Sequence, residues 1–325
     1  MQFSRAFFDP NEDRPSSDPA NVRAFDLPDK KRSVYLYDDR LVLAINVALA
    51  TRRPLLLAGE PGCGKTTLAR NVALVLDWSY YQHTITSRAQ SSDLVWEFDA
   101  LRRLNDANTR TKRLLKDGFY INPGPLWWAL APDTAASRGL DADDAARDEL
   151  KLSDPGQPPG RNGAVLLIDE LDKAEPELPN DLLEVVDARS FAVRNRNISA
   201  TRHDVLLIFS TNGERDFPEA FMRRCVTYRF PDREPDWYVE VAKHWVPELQ
   251  PSLATAVATR LIRCRKEAID GGVRPPGVAE FLDALKAMAR LGVTYADGKP
   301  LDAQSAEWKE LEKLVFLKSQ ALSTP

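Results

Sequence analysis

The sequence of 325 residues has only three cysteines, which lie far apart at positions 63, 225 and 264. Such sparse cysteines exclude a disulfide framework and a zinc site of the usual spacing, and they favour a reducing compartment. No uninterrupted apolar run approaches the 18 residues that a membrane-spanning helix needs. The first residues also lack the basic and then apolar pattern of a signal peptide. These absences predict a cytoplasmic protein with no membrane partner.

An excess of positive charge is absent too. Lysine and arginine total 44 residues against 48 aspartate and glutamate residues, which gives a formal net charge of -4. Domains that bind nucleic acid through its phosphates are usually basic, so this balance argues against a nucleic-acid partner. Hydrophobic residues make up 43% of the chain, which is enough to form a buried core.

The order of apolar and helix-like segments predicts two domains. Three short apolar runs, RPLLLAGE, AVLLIDE and VLLIFSTN, have the length and composition of buried parallel strands. Helical patterns alternate with these runs, and from about residue 235 only helical patterns remain. We therefore predict an α/β domain over residues 34–232 and a small all-α domain over residues 233–325.

Three further segments are interpreted from their composition. Residues 1–33 are rich in proline, aspartate and serine, which predicts a flexible N-terminal arm. Residues 91–117 carry a charged pattern that predicts a helix. Residues 132–163 include five acids between Asp141 and Glu149 and end in prolines and glycines, which predicts a solvated, mobile acidic loop. A docking surface for a basic partner is the alternative for this loop.

The strongest motif is GEPGCGKT, residues 59–66, which fits the phosphate-binding pattern G-x-x-x-x-G-K-[ST]. Glycines let backbone amides approach phosphate oxygens, and the N-terminus of the following helix adds positive potential. We expect Lys65 to reach the terminal phosphates and Thr66 to ligate Mg²⁺. A glycine-rich turn with an incidental lysine is the alternative. The guanine-reading pattern Asn-Lys-x-Asp occurs nowhere, so ATP is the expected nucleotide. The candidate ATP-binding residues of this loop are Gly59, Glu60, Pro61, Gly62, Cys63, Gly64, Lys65, Thr66 and Thr67.

Polar side chains end the two later apolar runs. Asp169 and Glu170 come where the carboxyl edge of a parallel sheet faces a ligand crevice. Asp169 suits a water-mediated contact to Mg²⁺, and Glu170 suits a base that orients an attacking water. Asn212 ends the next run and could hold the same water, although strand-end turn chemistry explains an asparagine equally well.

Two arginines, Arg223 and Arg224, follow in the segment FMRRC. An arginine near the terminal phosphate can stabilise transition-state charge, and a neighbouring subunit can supply it. Local salt bridges at the surface are the alternative explanation.

These motifs, in this order, resemble those of an AAA+ ATPase, and longer segments resemble its MoxR family. The segments are YINPGPLWWALA, LLIDELDKAEPELPNDLLEVVD and FSTNGERDFPEAFMRRC, and the resemblance extends from about Val34 to about Arg290. It implies a P-loop parallel sheet sandwiched by helices and followed by a small all-α lid domain. It also implies a homo-oligomer, commonly a hexameric ring, that binds ATP and Mg²⁺ at subunit interfaces.

The resemblance also implies residue roles. The phosphate-binding lysine falls on Lys65, the magnesium roles on Thr66 and Asp169, the catalytic glutamate on Glu170, the sensor asparagine on Asn212, and the trans-acting arginine on Arg224 or, second, Arg223. A family insert is expected at about residues 87–128. The family's sensor arginine has no direct counterpart, because Pro276 stands at its expected place and Arg274 is the nearest candidate.

The implied function is a chaperone-like ATPase that remodels or activates a client. MoxR-type proteins often act beside a partner with a von Willebrand factor A-type domain, so such a protein is one expected client. All hydrolytic positions are filled, which favours turnover, whereas the displaced Arg274 favours a nucleotide-gated scaffold in a multi-gene module, for example one for defence. A DNA-handling AAA+ ATPase is the third alternative, and the acidic balance disfavours it.

Overall fold

The computed structural model describes residues 6–12, 19–26, 32–87, 89–108, 115–140, 152–160, 162–293, 301 and 306–317. Internal contacts divide the chain into two compact units. The first comprises Met1–Ala58 and Thr66–Tyr228, and the second comprises Gly59–Lys65 and Arg229–Pro325. The glycine-rich loop, residues 59–65, therefore groups with the C-terminal residues, whereas the sequence analysis includes it in the α/β domain.

The strands in the described residues are β1 (Val22–Asp26), β2 (Arg32–Leu36), β3 (Leu55–Ala58), β4 (Ser79–Thr84), β5 (Trp96–Phe98), β6 (Ile121–Pro123), β7 (Ala164–Asp169), β8 (Ser190–Val193), β9 (Arg196–Ser199), β10 (Val205–Thr211) and β11 (Val226–Arg229). The helices are α1 (Asp39–Thr51), α2 (Lys65–Leu76), α3 (Ser91–Val95), α4 (Ala100–Asn108), α5 (Pro125–Leu130), α6 (Pro132–Ala136), α7 (Leu178–Ala188), α8 (Glu219–Met222), α9 (Pro235–Trp245), α10 (Pro251–Asp270), α11 (Val278–Leu291) and α12 (Ala306–Val315). None of these helices qualifies as a candidate membrane span.

A five-stranded sheet with the order β11–β3–β10–β7–β4 forms the centre of the first unit. Strand β10 pairs in parallel with both β3 and β7, and β4 pairs in parallel with β7. The apolar runs at the middle of β3, β7 and β10 are buried, because helices cover the sheet. Helices α5 and α7 share one hydrophobic core with β7 and β10. The predicted α/β architecture followed by C-terminal helices is confirmed.

The segment predicted as one charged helix, residues 91–117, is interrupted. Strand β5 separates α3 from α4 and pairs antiparallel with β6, in a register that sets Trp96 opposite Pro123. The indole Nε1 of Trp96 also donates a hydrogen bond to the carbonyl oxygen of Ala192, at 3.2 Å. The aromatic residues of β5 thus find partners far along the chain, and these tertiary contacts override the local helical pattern.

Part of the segment predicted as a flexible arm is ordered. Strand β1 pairs antiparallel with β2, and Phe8 is buried against the ring of Tyr37. The side chain of Asn46 on α1 accepts hydrogen bonds from the amides of Phe7 and Phe8, at 2.7 and 3.0 Å, and donates one to the Phe8 carbonyl. A buried amide side chain therefore replaces a strand partner for this part of the N-terminal segment.

The predicted mobile loop, residues 132–163, is also partly structured. It begins with α6, and further along Asp154 accepts a hydrogen bond from the hydroxyl of Tyr81, at 2.9 Å. Backbone hydrogen bonds join Tyr80 of β4 to Gln157 and Pro158. The loop therefore covers part of the sheet edge, which would otherwise leave strand groups unpaired. Its acidic stretch, residues 141–149, lies outside the described residues.

Candidate functional site

Asp169, at the carboxyl end of β7, is the centre of a hydrogen-bond cluster in the first unit. Its Oδ2 accepts a hydrogen bond from the hydroxyl of Thr66, at 2.9 Å, and one from the Gln82 amide, at 3.5 Å. Its Oδ1 accepts a hydrogen bond from the hydroxyl of Ser210, which is fully buried on β10. The buried Ser210 holds the Asp169 carboxylate in one orientation. The carboxylate then lies next to Thr66, which the sequence analysis assigned to Mg²⁺ together with Asp169.

Glu170 follows directly and has an unusual backbone. Its φ and ψ of 60° and 46° lie in the left-handed region, which costs a residue with a side chain about 1 kcal/mol. Its amide donates a hydrogen bond to the Ser210 hydroxyl, at 3.0 Å. Ser210 therefore binds both acids, and its contacts to them compensate for this strained turn. The turn lets Asp169 and Glu170 project differently although they are neighbours.

The carboxylate of Glu170 pairs with Lys173. The Lys173 Nζ lies 2.8 Å from Glu170 Oε2. The hydrogen bond to Glu170 raises the pKa of Lys173, so this lysine stays charged at neutral pH. A base at position 170 must exchange this partner for a water molecule before it can accept a proton.

Asn212 lies in a turn that a buried acid holds. The Oδ2 atom of Asp172 accepts hydrogen bonds from the amides of Asn212 and Glu214, at 3.0 and 3.1 Å. Asp172 is only 6% exposed, and it comes three residues after Asp169. The ends of β7 and β10 are therefore fastened to each other, which fixes where the backbone carries Asn212.

The two candidate arginines lie after the short helix α8. Arg223 forms an ion pair with Glu219, one helical turn earlier, at 2.5 Å, and both side chains are largely exposed. This contact is a local surface salt bridge, which the sequence analysis gave as the alternative to a role for these arginines at a phosphate. Arg224 is exposed as well. Both guanidinium groups can be reached by another molecule.

In the second unit the glycine-rich loop closes around its own lysine. Lys65 is 6% exposed, and its Nζ donates hydrogen bonds to the carbonyl oxygens of Gly59, at 2.5 Å, and Glu60, at 3.0 Å. Gly62 and Gly64 have φ values of +80° and +100°, which only glycine adopts without strain. The loop thus has the left-handed turns that let backbone amides face an anion.

Arg265 on α10 also fixes this loop. Its Nη2 contacts the Glu60 carboxylate, and its Nη1 donates a hydrogen bond to the Pro276 carbonyl, at 2.6 Å. The amide of Val278 donates to the Gly62 carbonyl, at 3.2 Å. By contrast, Arg274, the arginine chosen from the sequence, is 64% exposed at its side chain and lies 3.8 Å from Glu280. The arginine that contacts the loop is therefore Arg265.

A small cavity of about 30 Å³ adjoins the loop at Cys63, and Phe230, Trp237 and Tyr238 line it. Burial raises the pKa of the Cys63 thiol, an effect larger than the opposing charge of Lys65. The thiol is therefore neutral at physiological pH, and a neutral thiol is a poor nucleophile.

The residues present suit Mg²⁺. Thr66 and Asp169 supply hydroxyl and carboxylate oxygens, which are the ligands that this ion prefers. No group of three or more histidine, cysteine, aspartate or glutamate side chains that could hold a metal ion occurs in the described part of the chain. Magnesium commonly takes one or two protein ligands and completes its shell with phosphate oxygens and water, so this sparse donor set fits.

The sequence analysis did not identify five residues that contact the candidate site residues and hold them in place. They are Gln82, Asp172, Lys173, Ser210 and Arg265. Asp172 and Lys173 had one usable signal, because they lie two and three residues after the predicted acid Glu170. Ser210 and Arg265 had none, because their partners lie 40 or more residues away.

Comparison with known proteins adds a family match. The family model for the AAA domain of the dynein-related subfamily matches residues 54–225, slightly more than half of the chain. No curated protein sequence matches. Two solved structures are similar, each at 14% identity. One is an ATPase candidate from Cytophaga hutchinsonii, with a TM-score of 0.40 and 87% of this chain and 83% of that chain covered. The other is a RuvB point variant from Thermotoga maritima, with a TM-score of 0.43 and 92% of this chain and 91% of that chain covered.

Proposed function

The chain belongs to the dynein-related subfamily of AAA domains, and we propose that it binds ATP with Mg²⁺ and hydrolyses it to drive a change in a partner protein. The observation that carries this proposal is the bond from Thr66 to Asp169, with Asp169 fixed by buried Ser210. It joins the residue that follows the loop lysine to the acid that ends β7. Hydrolysis of ATP at a P-loop needs a Mg²⁺ ion, which is held by the loop's hydroxyl residue together with an acid at the end of a strand.

The roles of the residues follow from their chemistry. Amides of the loop 59–65 and the Lys65 ammonium bind the phosphates, and Thr66 and Asp169 hold Mg²⁺, which neutralises phosphate charge when bound. The Glu170 carboxylate accepts a proton from a water molecule whose oxygen attacks the terminal phosphorus. The bond from that phosphorus to the bridging oxygen breaks, and ADP and phosphate leave. Asn212 orients the water.

The exposed arginines support an assembled site. Arg224, or Arg223 after release of Glu219, is free to reach a neighbouring copy of the chain, and a guanidinium there stabilises charge on the transferred phosphoryl group. We therefore place the active form in a homo-oligomeric ring, and the MoxR resemblance makes a hexamer the expected size. A client protein, for example one with a von Willebrand factor A-type domain, is the expected substrate of the resulting motion.

A nucleotide-gated scaffold is the second candidate, and the ion pair between Lys173 and Glu170 favours it. While Lys173 is paired with Glu170, the carboxylate accepts a proton slowly, so ATP hydrolysis stays slow until another contact displaces the lysine. Steady-state phosphate release separates the two candidates. Release by the purified chain supports the ATPase, and release that begins only with a partner protein supports the gated form. Absence of any affinity for ATP with Mg²⁺ contradicts both.

Arg265 gives a test of how the loop is held. Arg265→Gln leaves the Glu60 carboxylate without its partner, and its charge then opposes the phosphates. We expect the Kd for ATP to rise roughly tenfold, or about 1.4 kcal/mol. The double variant Glu60→Gln with Arg265→Gln should recover most of the affinity, since it removes both charges. Calorimetric titration with ATP measures both values.

The variant to be compared with Arg265→Gln in this test is Arg274→Gln. If Arg274→Gln lowers the affinity for ATP more than Arg265→Gln does, the arginine that supports ATP binding is Arg274, as the sequence indicated. A double variant as weak as Arg265→Gln alone would show that unpaired Glu60 is not the cause of the loss.

The ring gives a second test. Glu170→Gln protein in ATP and Mg²⁺ is expected to form an oligomer, with six copies as the predicted number, because bound ATP then persists at the interfaces. Mass measurement by light scattering counts the copies. Adding Arg224→Ala should weaken the assembly or its turnover, with Arg229→Ala, another exposed arginine, as the matched control. A strictly monomeric protein in saturating ATP contradicts the trans-acting role of Arg224.

A further inference from the structure

A second candidate site lies along the outer edge of strand β4, within the first unit. It is a cavity of about 430 Å³, and ligand sites in proteins commonly have volumes of about 300–1,000 Å³. Residues 80–83, four consecutive residues of β4, line it. Successive side chains of a strand point to opposite faces of the sheet, so a cavity lined by four in a row runs along the sheet's edge. We refer to it as the edge cavity.

The backbone of β4 turns every second residue toward this outer edge. The amides of Ser79 and Ile85 donate hydrogen bonds to the carbonyl oxygens of Gly163 and Asp169, at either end of β7, each at 2.9 Å. Backbone groups alternate in direction along a strand, so the odd-numbered residues of β4 face β7. Residues 80, 82 and 84 therefore present their amide and carbonyl groups to the outer edge.

Only part of this edge is paired within the described chain. The Tyr80 amide donates a hydrogen bond to the Pro158 carbonyl, at 3.2 Å, and the Tyr80 carbonyl accepts one from the Gln157 amide, at 2.8 Å. The backbone groups of Gln82 and Thr84 have no hydrogen-bond partner among the described residues. Residues 82–84 include neither lysine nor proline, which commonly block pairing at an exposed edge. The edge is therefore open to another strand.

The rest of the cavity wall offers this edge little. Pro123, Pro125 and Trp128 come from β6 and α5, and Pro155 comes from the segment before β7. Proline has no amide hydrogen, so these residues give the open carbonyl groups of β4 no backbone donor. Among the described residues that line the cavity there is no aspartate or glutamate. Burial lowers the pKa of His83, so its imidazole is neutral at pH 7.

Arg70, on α2, supplies the positive charge of the cavity. The residue is partly exposed and lines the cavity, and its Nε atom is buried, so its terminal nitrogens are the part that a ligand contacts. It forms no hydrogen bond or ion pair with the residues that the structure describes. Asp169, the acid that acts on the adjacent Tyr80 hydroxyl, is already bonded to Thr66 and Ser210. One such guanidinium matches one carboxylate, which it binds through two parallel hydrogen bonds.

We propose that the edge cavity binds an extended segment of a partner protein that carries one acidic side chain. The segment's backbone pairs with the open groups of Gln82 and Thr84 as an added strand, and its carboxylate contacts Arg70. A small anion would leave the strand edge unpaired. A phosphoryl group carries nearly two negative charges, which a single guanidinium does not balance. The observations therefore favour a peptide with a carboxylate over either of these ligands.

The experiment measures the fluorescence anisotropy of labelled short peptides added to the full chain without nucleotide. The peptides alternate threonine and valine, are blocked at both ends, and carry one glutamate at each position in turn. We expect saturable binding where the glutamate is in register with Arg70, and about fivefold weaker binding of the matching glutamine peptide. N-methylation of one of the two alternating sets of peptide amides should abolish binding, because only that set faces β4.

Variants of the chain test the two contacts separately. Thr84→Pro removes an outward amide hydrogen, and proline is tolerated where the amide of an edge strand faces outward. We expect it to weaken peptide binding about tenfold, whereas Thr84→Val, which keeps the amide, should bind normally. Arg70→Gln should bind the glutamate and glutamine peptides equally, with Arg40→Gln, an exposed arginine on α1, as the unaffected control. Thermal unfolding shows whether each variant keeps its fold.

Four results would overturn the proposal. The first is the absence of saturable binding across the whole peptide set. The second is equal loss of affinity from either set of N-methylated amides, which excludes strand pairing. The third is an Arg70→Gln protein that still prefers glutamate, and the fourth is a nucleotide-free dimer that Thr84→Pro dissociates, which would assign the edge to a second copy of the chain. Because no nucleotide is present, none of these results depends on the ATP proposal.

Discussion

Replacing Glu170 with glutamine is expected to lower kcat for ATP hydrolysis at least about a hundredfold while ATP still binds. The amide keeps the size of the side chain and removes the carboxylate that we propose as the base for the attacking water, and such bases contribute about 10²–10⁴-fold. It also removes the charge that holds Lys173. Phosphate release measures kcat, and calorimetric titration measures the affinity for ATP.

The matched control is Glu175→Gln, an exposed glutamate five residues further along the same segment. It should leave kcat within about twofold of the original chain. If Glu170→Gln retains full turnover, Glu170 is not the base, and another group must take the proton. If affinity for ATP falls together with kcat, the residue contributes to binding instead of to the chemical step.

Lys65→Ala is expected to weaken ATP binding about a hundredfold and to abolish measurable turnover. The substitution removes the charged donor that we propose for the terminal phosphates, and bonds to charged groups contribute about 1.5–3 kcal/mol. It also leaves the carbonyl oxygens of Gly59 and Glu60 without their ammonium donor. The affinity for AMP should change much less, because the lysine is assigned to the terminal phosphates.

Lys243→Ala, at an exposed lysine on α9, is the control for the loss of a positive charge. It should leave ATP and AMP affinities unchanged. An equal loss of ATP and AMP affinity in Lys65→Ala would mean that the loop has collapsed and that no specific phosphate contact was removed. Circular dichroism of the variant distinguishes a folding defect from a lost contact.

The parts of the site that were predictable from the sequence depend on local pattern. The apolar runs of β3, β7 and β10 fix the sheet because a continuous buried run has few other structures available. Lys65, Thr66 and Asp169 could be found because the loop motif and the strand end each have a sequence signature. Contact between Thr66 and Asp169, which are 103 residues apart, then follows from the parallel arrangement of the strands.

Other features depend on tertiary partners that no local pattern specifies. Nothing in the sequence distinguishes Ser210 from other residues of its strand, yet it forms hydrogen bonds with both the Asp169 carboxylate and the Glu170 amide. Arg265 lies within a regular helical pattern, 205 residues from its partner Glu60. The helix prediction over residues 91–117 is correct for α3 and α4 and wrong at β5 for the same reason, since β5 pairs with β6.

The left-handed turn at Glu170 has a consequence for anyone who engineers this chain for stability. Glycine occupies that backbone geometry more readily than glutamate, so a screen that rewards heat resistance alone would select glycine at position 170. The selected protein would tolerate higher temperatures and would lack the carboxylate that we propose as the base. Thermal screening of this chain therefore has to be coupled to a measure of turnover, or position 170 must be excluded from the library.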